Sequence, residues 1–501
     1  MPKRILFLAY HFPPLGGGGV QRSAKFVRYL PELGYEPIVI TGSGGASDRW
    51  TPSDETLELD IGRHVEVWRV PGLEPPLAIP GWRGRMDRAL DRRSEFTRWW
   101  VEGAVRLGRE VAGDVGLVFG ELVPYETAEA AARLSAELGV PWVADLQDPW
   151  ALDEMWLYPS ALHLRRDTAR MRRVLRTASA IIMNVPEAAE RVRRRFPELA
   201  PKLTPAITNG FDSADFAGPE PARNPDTFRI VHSGYLYTEA GYELRGARRR
   251  RRLLGGMPFP EVDFLTRSHV FLLDAVERVI ADEPELAAVI EVHLAGVTSQ
   301  VDRDVAARSR VCHLHGYLPH GATVELMRSA DLLFLPMQDL PEGTRAGLVP
   351  GKTYEYLGAR RPILAAVPDG DVRDFLAAAG NATLCRPADV ECLARAIRDE
   401  VARWRAGSQR AEPDPETRAR FERRRLTESL VAELDAVLEP PRPRSGSDAV
   451  AGESRDRGDG RPPLQQGPQP MERELGQQPR IAPRGEQRER DDPDRDADHE
   501  P

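Results

Sequence analysis

The stretch Val349-Pro350-Gly351-Lys352-Thr353-Tyr354-Glu355-Tyr356-Leu357 runs on through Gly358-Ala359-Arg360-Arg361-Pro362 into Ile363-Leu364-Ala365. A loop containing Pro and Gly opens a short helix with Lys352 and Glu355 near its start, and Arg-Pro ends that helix ahead of an apolar strand. The unpaired amides of a helix N-terminus and the positive end of its dipole attract phosphate, and Lys352 adds a full charge. A carboxylate beside a phosphate is repelled, so Glu355 is expected to face a neutral, hydroxyl-bearing part of the ligand, such as a ribose. The stretch therefore reads as an anion site joined to a buried strand.

Strands and helices alternate on both sides of it. Apolar runs at 5–9, 37–41, 115–119, 142–145 and 180–184, and again at 228–232, 290–294, 311–314, 331–335 and 363–367, predict two doubly wound parallel sheets of the α/β class. Glycines 16–19 fall between the first strand and a helix with Phe26, Val27, Leu30 and Leu33 on one face. That puts a loop open to backbone contact, Gly17 and Gly18 included, at a strand's carboxyl end, where open α/β sheets bind ligands. Its spacing is not that of a dinucleotide fingerprint. Residues 235–260 have weak periodicity and are expected to be a mobile insertion before a helix at 268–280. A helical pattern at 418–438 carries Leu426, Leu430, Leu434 and Leu438, and beyond 439 almost no large apolar residue remains, which predicts disorder. The expected division is 1–207, 208–412, 413–438 and a tail, 439–501.

At 501 residues the chain is long for one core, since roughly 150 residues per domain is usual. No apolar run approaches the ~20 residues of a spanning helix, and the prolines after His11 cut short any signal-peptide pattern, so a cytoplasmic protein is expected. The net charge of -8 argues against nucleic acid as a partner. Cys312, Cys385 and Cys392 lack metal-ligand spacing, and three cysteines fit a reducing compartment without a disulfide. Trp99 and Trp100 follow Arg88, Arg92, Arg93 and Arg98, and a second basic run occupies 248–252. Helical spacing puts Trp100, Ala104 and Val111 on a buried stripe, so at most a weak, salt-sensitive, peripheral contact with the inner face of a membrane is expected, and the arginine run reads as a solvated loop.

Several segments, in order, resemble landmarks of one family: Arg4-Ile5-Leu6-Phe7-Leu8-Ala9-Tyr10-His11-Phe12-Pro13-Pro14 with its glycine loop, Ala144-Asp145-Leu146-Gln147-Asp148-Pro149-Trp150, Thr208-Asn209-Gly210-Phe211-Asp212, His315-Gly316-Tyr317-Leu318, Ser329-Ala330-Asp331-Leu332-Leu333-Phe334-Leu335-Pro336 and the Lys352 stretch. The family is the retaining GT-B glycosyltransferases of the family-4 kind, or glycosyltransferase group 1. The resemblance implies two Rossmann-like domains facing a cleft, with 413–438 crossing back to the first. It implies a nucleotide-diphosphate sugar as donor, no cofactor and no metal. The acceptor would be a glycan, a lipid-linked or a small molecule, in polysaccharide or glycoconjugate assembly.

The same resemblance puts Glu355 on the ribose, Gly316 and Tyr317 on the base, and Gly17, Gly18, Gly351 and Lys352 on the donor. Lys352 and Asp148 are the catalytic candidates, and His11, Asp145 and Trp150 lie on the acceptor side. Two positions depart from the pattern. Gly347 stands where many relatives carry a second glutamate, and Tyr235 where they carry a base; Arg267, Arg345 or Lys352 is left to supply the charge. A nucleotide-sugar epimerase on the same scaffold and a non-catalytic nucleotide-sugar-binding scaffold stay as alternatives.

Overall fold

The computed structural model describes residues 2–45, 54, 56–62, 65–76, 94–408 and 412–439. Arg88, Arg92, Arg93 and all of the expected tail past Glu439 lie outside the described residues.

One parallel sheet contains β1 (Lys3–Leu8), β2 (Tyr35–Thr41), β3 (Glu66–Arg69), β4 (Leu117–Glu121), β5 (Trp142–Leu146) and β6 (Ala180–Met183), in the order β3-β2-β1-β4-β5-β6. A second contains β7 (Phe228–Ser233), β8 (Ile290–Ala295), β9 (Cys312–Gly316), β10 (Leu332–Pro336), β11 (Ile363–Ala366) and β12 (Ala382–Cys385), in the order β12-β11-β10-β7-β8-β9. The two windings are the same, with the first strand of each set beside the fourth. The direction of winding therefore reverses between β1 and β4 and between β7 and β10, and ligands bind at such reversals. The expected doubly wound α/β class holds. The sequence reading passed over β3, which is largely exposed, and β12, which is half-buried, because neither makes a continuous apolar run.

Helix α1 (Gly18–Tyr29) starts at Gly17, whose φ of 95° is left-handed. Helix α2 (Glu95–Val111) is capped by the Ser94 hydroxyl, which accepts from the Thr97 amide at 3.0 Å. Trp100 is fully buried and donates to the Thr127 hydroxyl at 3.1 Å, while Trp99 is half-buried and donates to the Pro71 carbonyl. The tryptophan pair is thus core and loop support rather than a free membrane-facing edge. Helices α3 (Ala161–Leu175) and α4 (Pro186–Arg195) flank the β5–β6 end of this sheet.

Residues 235–260 depart from expectation. Instead of a mobile insertion they form α5 (Thr238–Leu254), followed by a loop. Arginine is a good helix former, and Arg245 forks onto Asp263 at 3.1 and 2.5 Å. Most side chains on this helix with a described burial are exposed, so no apolar period marks it in the sequence. A second correction concerns the cysteines: Cys385, ending β12, is disulfide-bonded to Cys392 in the next helix, and Cys312 is free. The return of that helix over its own strand brings together two residues that looked unrelated.

Helices α6 (His320–Arg328) and α7 (Gly351–Ala359) follow β9 and precede β11. The terminal pattern begins later than 418, because α8 (Arg423–Leu438) is preceded by a break at Phe421. There the Phe211 amide donates to the Phe421 carbonyl at 3.0 Å and the Arg423 amide to the Phe211 carbonyl at 2.9 Å. Leu426, Leu430 and Leu434 then pack with Ile5, Phe7 and Phe119 of the first sheet. One buried cluster runs from Leu6 and Trp142 through Phe421 to Leu333 of the second sheet and Tyr354 of α7, so the two sheets share a core. Among the described residues no helix is long and apolar enough to cross a membrane. Truncating fully buried Leu430 to Ala should cost about 2–5 kcal/mol, read by denaturant unfolding, because the cavity cannot collapse between a helix and a sheet.

Candidate functional site

The carboxyl ends of β7, β8 and β9, the start of α7 and the glycine loop after β1 enclose a cavity of about 330 Å³. Gly17 and Gln21 face it from the first sheet; Gly234, Tyr235, Tyr237, Arg267, Tyr317, Gly351, Lys352 and Glu355 face it from the second. A larger cavity of about 770 Å³ lies at the opposite, amino ends of the second sheet's strands, beside Phe228, Asp331 and Pro362. Strand direction, not volume, picks out the first as the candidate site.

No side chain caps α7, so its first amides are left to the cavity. Lys352 lies against the turn after β7. Gly234 there has a φ of 118°, an angle that favours glycine, and a β-carbon on it would displace the lysine ammonium. Burial and, secondarily, the charge of Arg267 push the Lys352 pKa down to about 7, opposed by Glu355. Arg267 stacks on the Tyr237 ring at 4.8 Å and donates to Gln338 at 3.3 Å. Lys352 and Arg267 thus fill the place left without a base by Tyr235. Arg345 does not join them, being bound to Asp371 at 3.2 Å and Asp374 at 2.6 Å.

Glu355, half-buried, accepts from Gln21 at 3.5 Å, and Gln21 in turn accepts from Arg423 at 3.2 Å. His320, at the start of α6, contacts Asp215 at 3.0 Å and Gln21 at 3.3 Å. Burial lowers its pKa, but the Asp215 hydrogen bond and the charge of Glu355 outweigh that, and the net shift is upward. Tyr317, beside Gly316 with its left-handed φ of 68°, is hydrogen-bonded to Asp54. Sequence reasoning missed Gln21, Asp54, His320 and Arg423 as cavity residues. Gln21, three residues past the last glycine of the loop but one, carried the only local signal; the others depend on tertiary contacts.

The first-sheet candidates divide. Asp148 is partly buried at the end of β5; burial raises its pKa to about 6, Arg267 opposing and Glu154 adding to the rise. Asp145 is fully buried and bound by Arg22 through both oxygens, at 2.7 and 2.8 Å, so it holds the loop and meets no acceptor. Trp150 is 1% exposed, stacks on Tyr125 at 4.7 Å and donates to Asp167 at 2.9 Å, so it packs beneath the cleft and offers no face to a sugar. His11 lies half-buried after β1 with its ring edge-on to Tyr10, outside the cavity wall. Gly18 opens α1 behind Gly17. Among the described residues no group of three or more His, Cys, Asp or Glu is arranged to hold a metal ion.

Gly347 has a physical reason. A β-carbon there would sit 2.6 Å from the guanidinium carbon of Arg191, which comes from α4 on the first sheet. Arg191 binds Glu154 at 2.5 Å and the Arg345 carbonyl at 2.7 Å, while Glu154 accepts from the Gly347 amide and from Gln338, each at 3.1 Å. A clamp between sheets occupies the place of the missing glutamate. Arg191→Met should destabilise the fold by about 3–5 kcal/mol, because it strands a buried carboxylate, and adding Glu154→Gln should restore much of that in a double-mutant unfolding cycle.

Two family models match the chain: a glycosyl transferase 4-like domain over residues 17–204 and glycosyl transferases group 1 over 265–402. No curated protein matches it in sequence. Among solved structures, HepE of Anabaena in complex with UDP and glucose superposes with a TM-score of 0.53 at 15% identity, over 86% of this chain and 99% of that one. Sucrose-phosphate synthase from Thermosynechococcus elongatus gives 0.57 at 13% identity, over 87% and 99%. The trehalose 6-phosphate synthase of Burkholderia multivorans gives 0.54 at 13%, again over 87% and 99%. The chain thus carries a glycosyl transferase 4-like domain and a glycosyl transferases group 1 domain, in sequence order on two Rossmann-like sheets, and has the GT-B fold.

Proposed function

We propose that the protein transfers a sugar, with retention, from a nucleoside-diphosphate sugar held in the 330 Å³ cavity to an acceptor on the first-sheet side. The observation that carries this reading is the pairing of Lys352 and Arg267 at the uncapped start of α7, with Glu355 one turn further on. Two cations and free amides suit a diphosphate, and a carboxylate one turn away suits ribose hydroxyls. As the bond to the diphosphate breaks, negative charge grows on its oxygens. Fixed donors in a partly dry cavity stabilise that charge without having to reorient.

Asp148 faces Arg267 from the other sheet. With a pKa near 6 it is mostly ionised at neutral pH and able to take the proton of an acceptor hydroxyl. The acceptor is a glycan, a lipid-linked or a small molecule, and the product belongs to polysaccharide or glycoconjugate assembly. A panel of nucleotide sugars tests the reading: nucleotide release should require an acceptor. Conversion of the donor to its epimer without acceptor, or binding without turnover, would replace it.

Glu355→Gln should weaken donor binding about tenfold to a hundredfold with the fold intact, since a hydrogen bond to a charged group is worth roughly 1.5–3 kcal/mol; titration calorimetry reads the change. Lys352 gives a pH signature. Its pKa of about 7 in the empty cleft rises when an anion binds, so above that pH donor binding must take up a proton and weaken as pH rises. Calorimetry at pH 8 in buffers of different ionisation enthalpy should show that uptake in the parent and none in Lys352→Arg, because arginine stays charged in both states.

A further inference from the structure

Four exposed apolar side chains collect where α3 meets the end of α5. Trp156 is 45% exposed, Leu162 53%, Leu253 84% and Leu254 47%. The loop before α3 and the loop after α5 are in direct contact, the Tyr158 amide donating to the Gly256 carbonyl at 2.8 Å. These elements come from different halves of the chain, so the patch is made by tertiary structure and has no sequence motif. Scattered surface leucines need no explanation, but a cluster with a tryptophan marks a binding surface.

Charge narrows the partner. Residues 245–254 hold six arginines and no acidic residue; Arg245 is paired with Asp263 and Arg252 with Glu261, while Arg165 and Arg250 are exposed next to the leucines. The acidic residue of α3, Asp167, is turned inward, where it accepts from Trp150 at 2.9 Å and Tyr158 at 2.6 Å. Arginine heads around a tryptophan and aliphatic tips suit the boundary between phosphate headgroups and acyl chains. The patch also reaches the cleft: Trp156 lies edge-on to Tyr125 at 5.9 Å, and Tyr125 stacks on Trp150, two residues past Asp148. From its first turn, just past Tyr235 and Tyr237 in the cavity wall, α5 extends about 25 Å at 1.5 Å per residue to the patch.

We propose that the surface formed by Trp156, Leu162, Leu253 and Leu254 with Arg165 and Arg250 docks the protein on an anionic lipid bilayer. The cleft then opens toward an acceptor anchored in that bilayer. The purpose assigned to docking rests on the transferase reading, whereas docking itself does not. Binding is measured with neither donor nor acceptor, so failure of one is distinguishable from failure of the other.

The test is sedimentation of the full chain with phosphatidylglycerol-containing vesicles and with neutral phosphatidylcholine vesicles, at low and high salt. Preference for the anionic vesicles, weakened by salt, is expected. Leu162→Asp/Leu253→Asp/Leu254→Asp and, separately, Arg165→Glu/Arg250→Glu should each lower the partition coefficient about tenfold or more. Both variants should keep the parent's melting temperature and nucleotide-sugar affinity, since none of the substituted residues lines the cavity. No sedimentation of the parent with anionic vesicles at low salt would overturn the proposal. So would equal binding by the triple variant, or a parent dimer in sedimentation velocity that the triple variant abolishes, since the patch would then join two copies.

Discussion

The cleft depends on one buried ion pair. Arg22 of α1 forks onto Asp145 at the end of β5, and its remaining donor reaches the Thr208 carbonyl at 2.9 Å. Taking both charges out of water is expensive, and such a pair adds little net stability over well-packed apolar residues. What it imposes is geometry, because each group is satisfied in one arrangement only. The same helix holds Asp212 through Lys25 at 3.0 Å and Tyr29 at 2.8 Å. The glycine loop, the loop carrying Asp148 and the segment 208–212 that leaves the first sheet are thus mounted on one helix, and the cavity inherits their alignment.

Within that mount the cleft is electrostatically divided. The second sheet contributes cations and free amides, while the first contributes Asp148 among the buried carboxyls Asp153 and Glu121, whose pKa values burial raises well above normal. Like charges gathered in a dry place resist ionising together. Among these three first-sheet carboxyls the rise is smallest at Asp148, where Arg267 restrains it.

Where a segment's local pattern matched its surroundings, the sequence was enough. The Ile363 strand, buried on both faces, and the α7 start, with glycine, lysine and glutamate at helical spacing, could be recognised from order alone. Helix α5 could not, because most of its described side chains are exposed and the Arg245 fork depends on Asp263, which lies outside the helix. Asp145 and Trp150 were misassigned for a related reason: a motif gives neighbours along the chain, and Arg22, 123 residues away, decided where the carboxylate points. The Cys385–Cys392 bond was hidden likewise, since a strand followed by a returning helix shortens a distance that residue counting leaves long. Arg191 was legible only in reverse. A glycine where relatives have glutamate reads as loss, but the space is filled from the other sheet.

The chain passes between the sheets at 208–212 and returns at 421–423, and these crossings lie side by side, bonded through Phe211. A second attachment, the Arg191–Glu154 clamp reinforced by the Glu187 amide on Asp371 at 2.8 Å, joins α4 to the far loops. Two fixed points define a line. Any displacement of one sheet against the other that leaves both attachments intact is a rotation about that line, as of a book about its spine, so sliding and shear are denied to the pair.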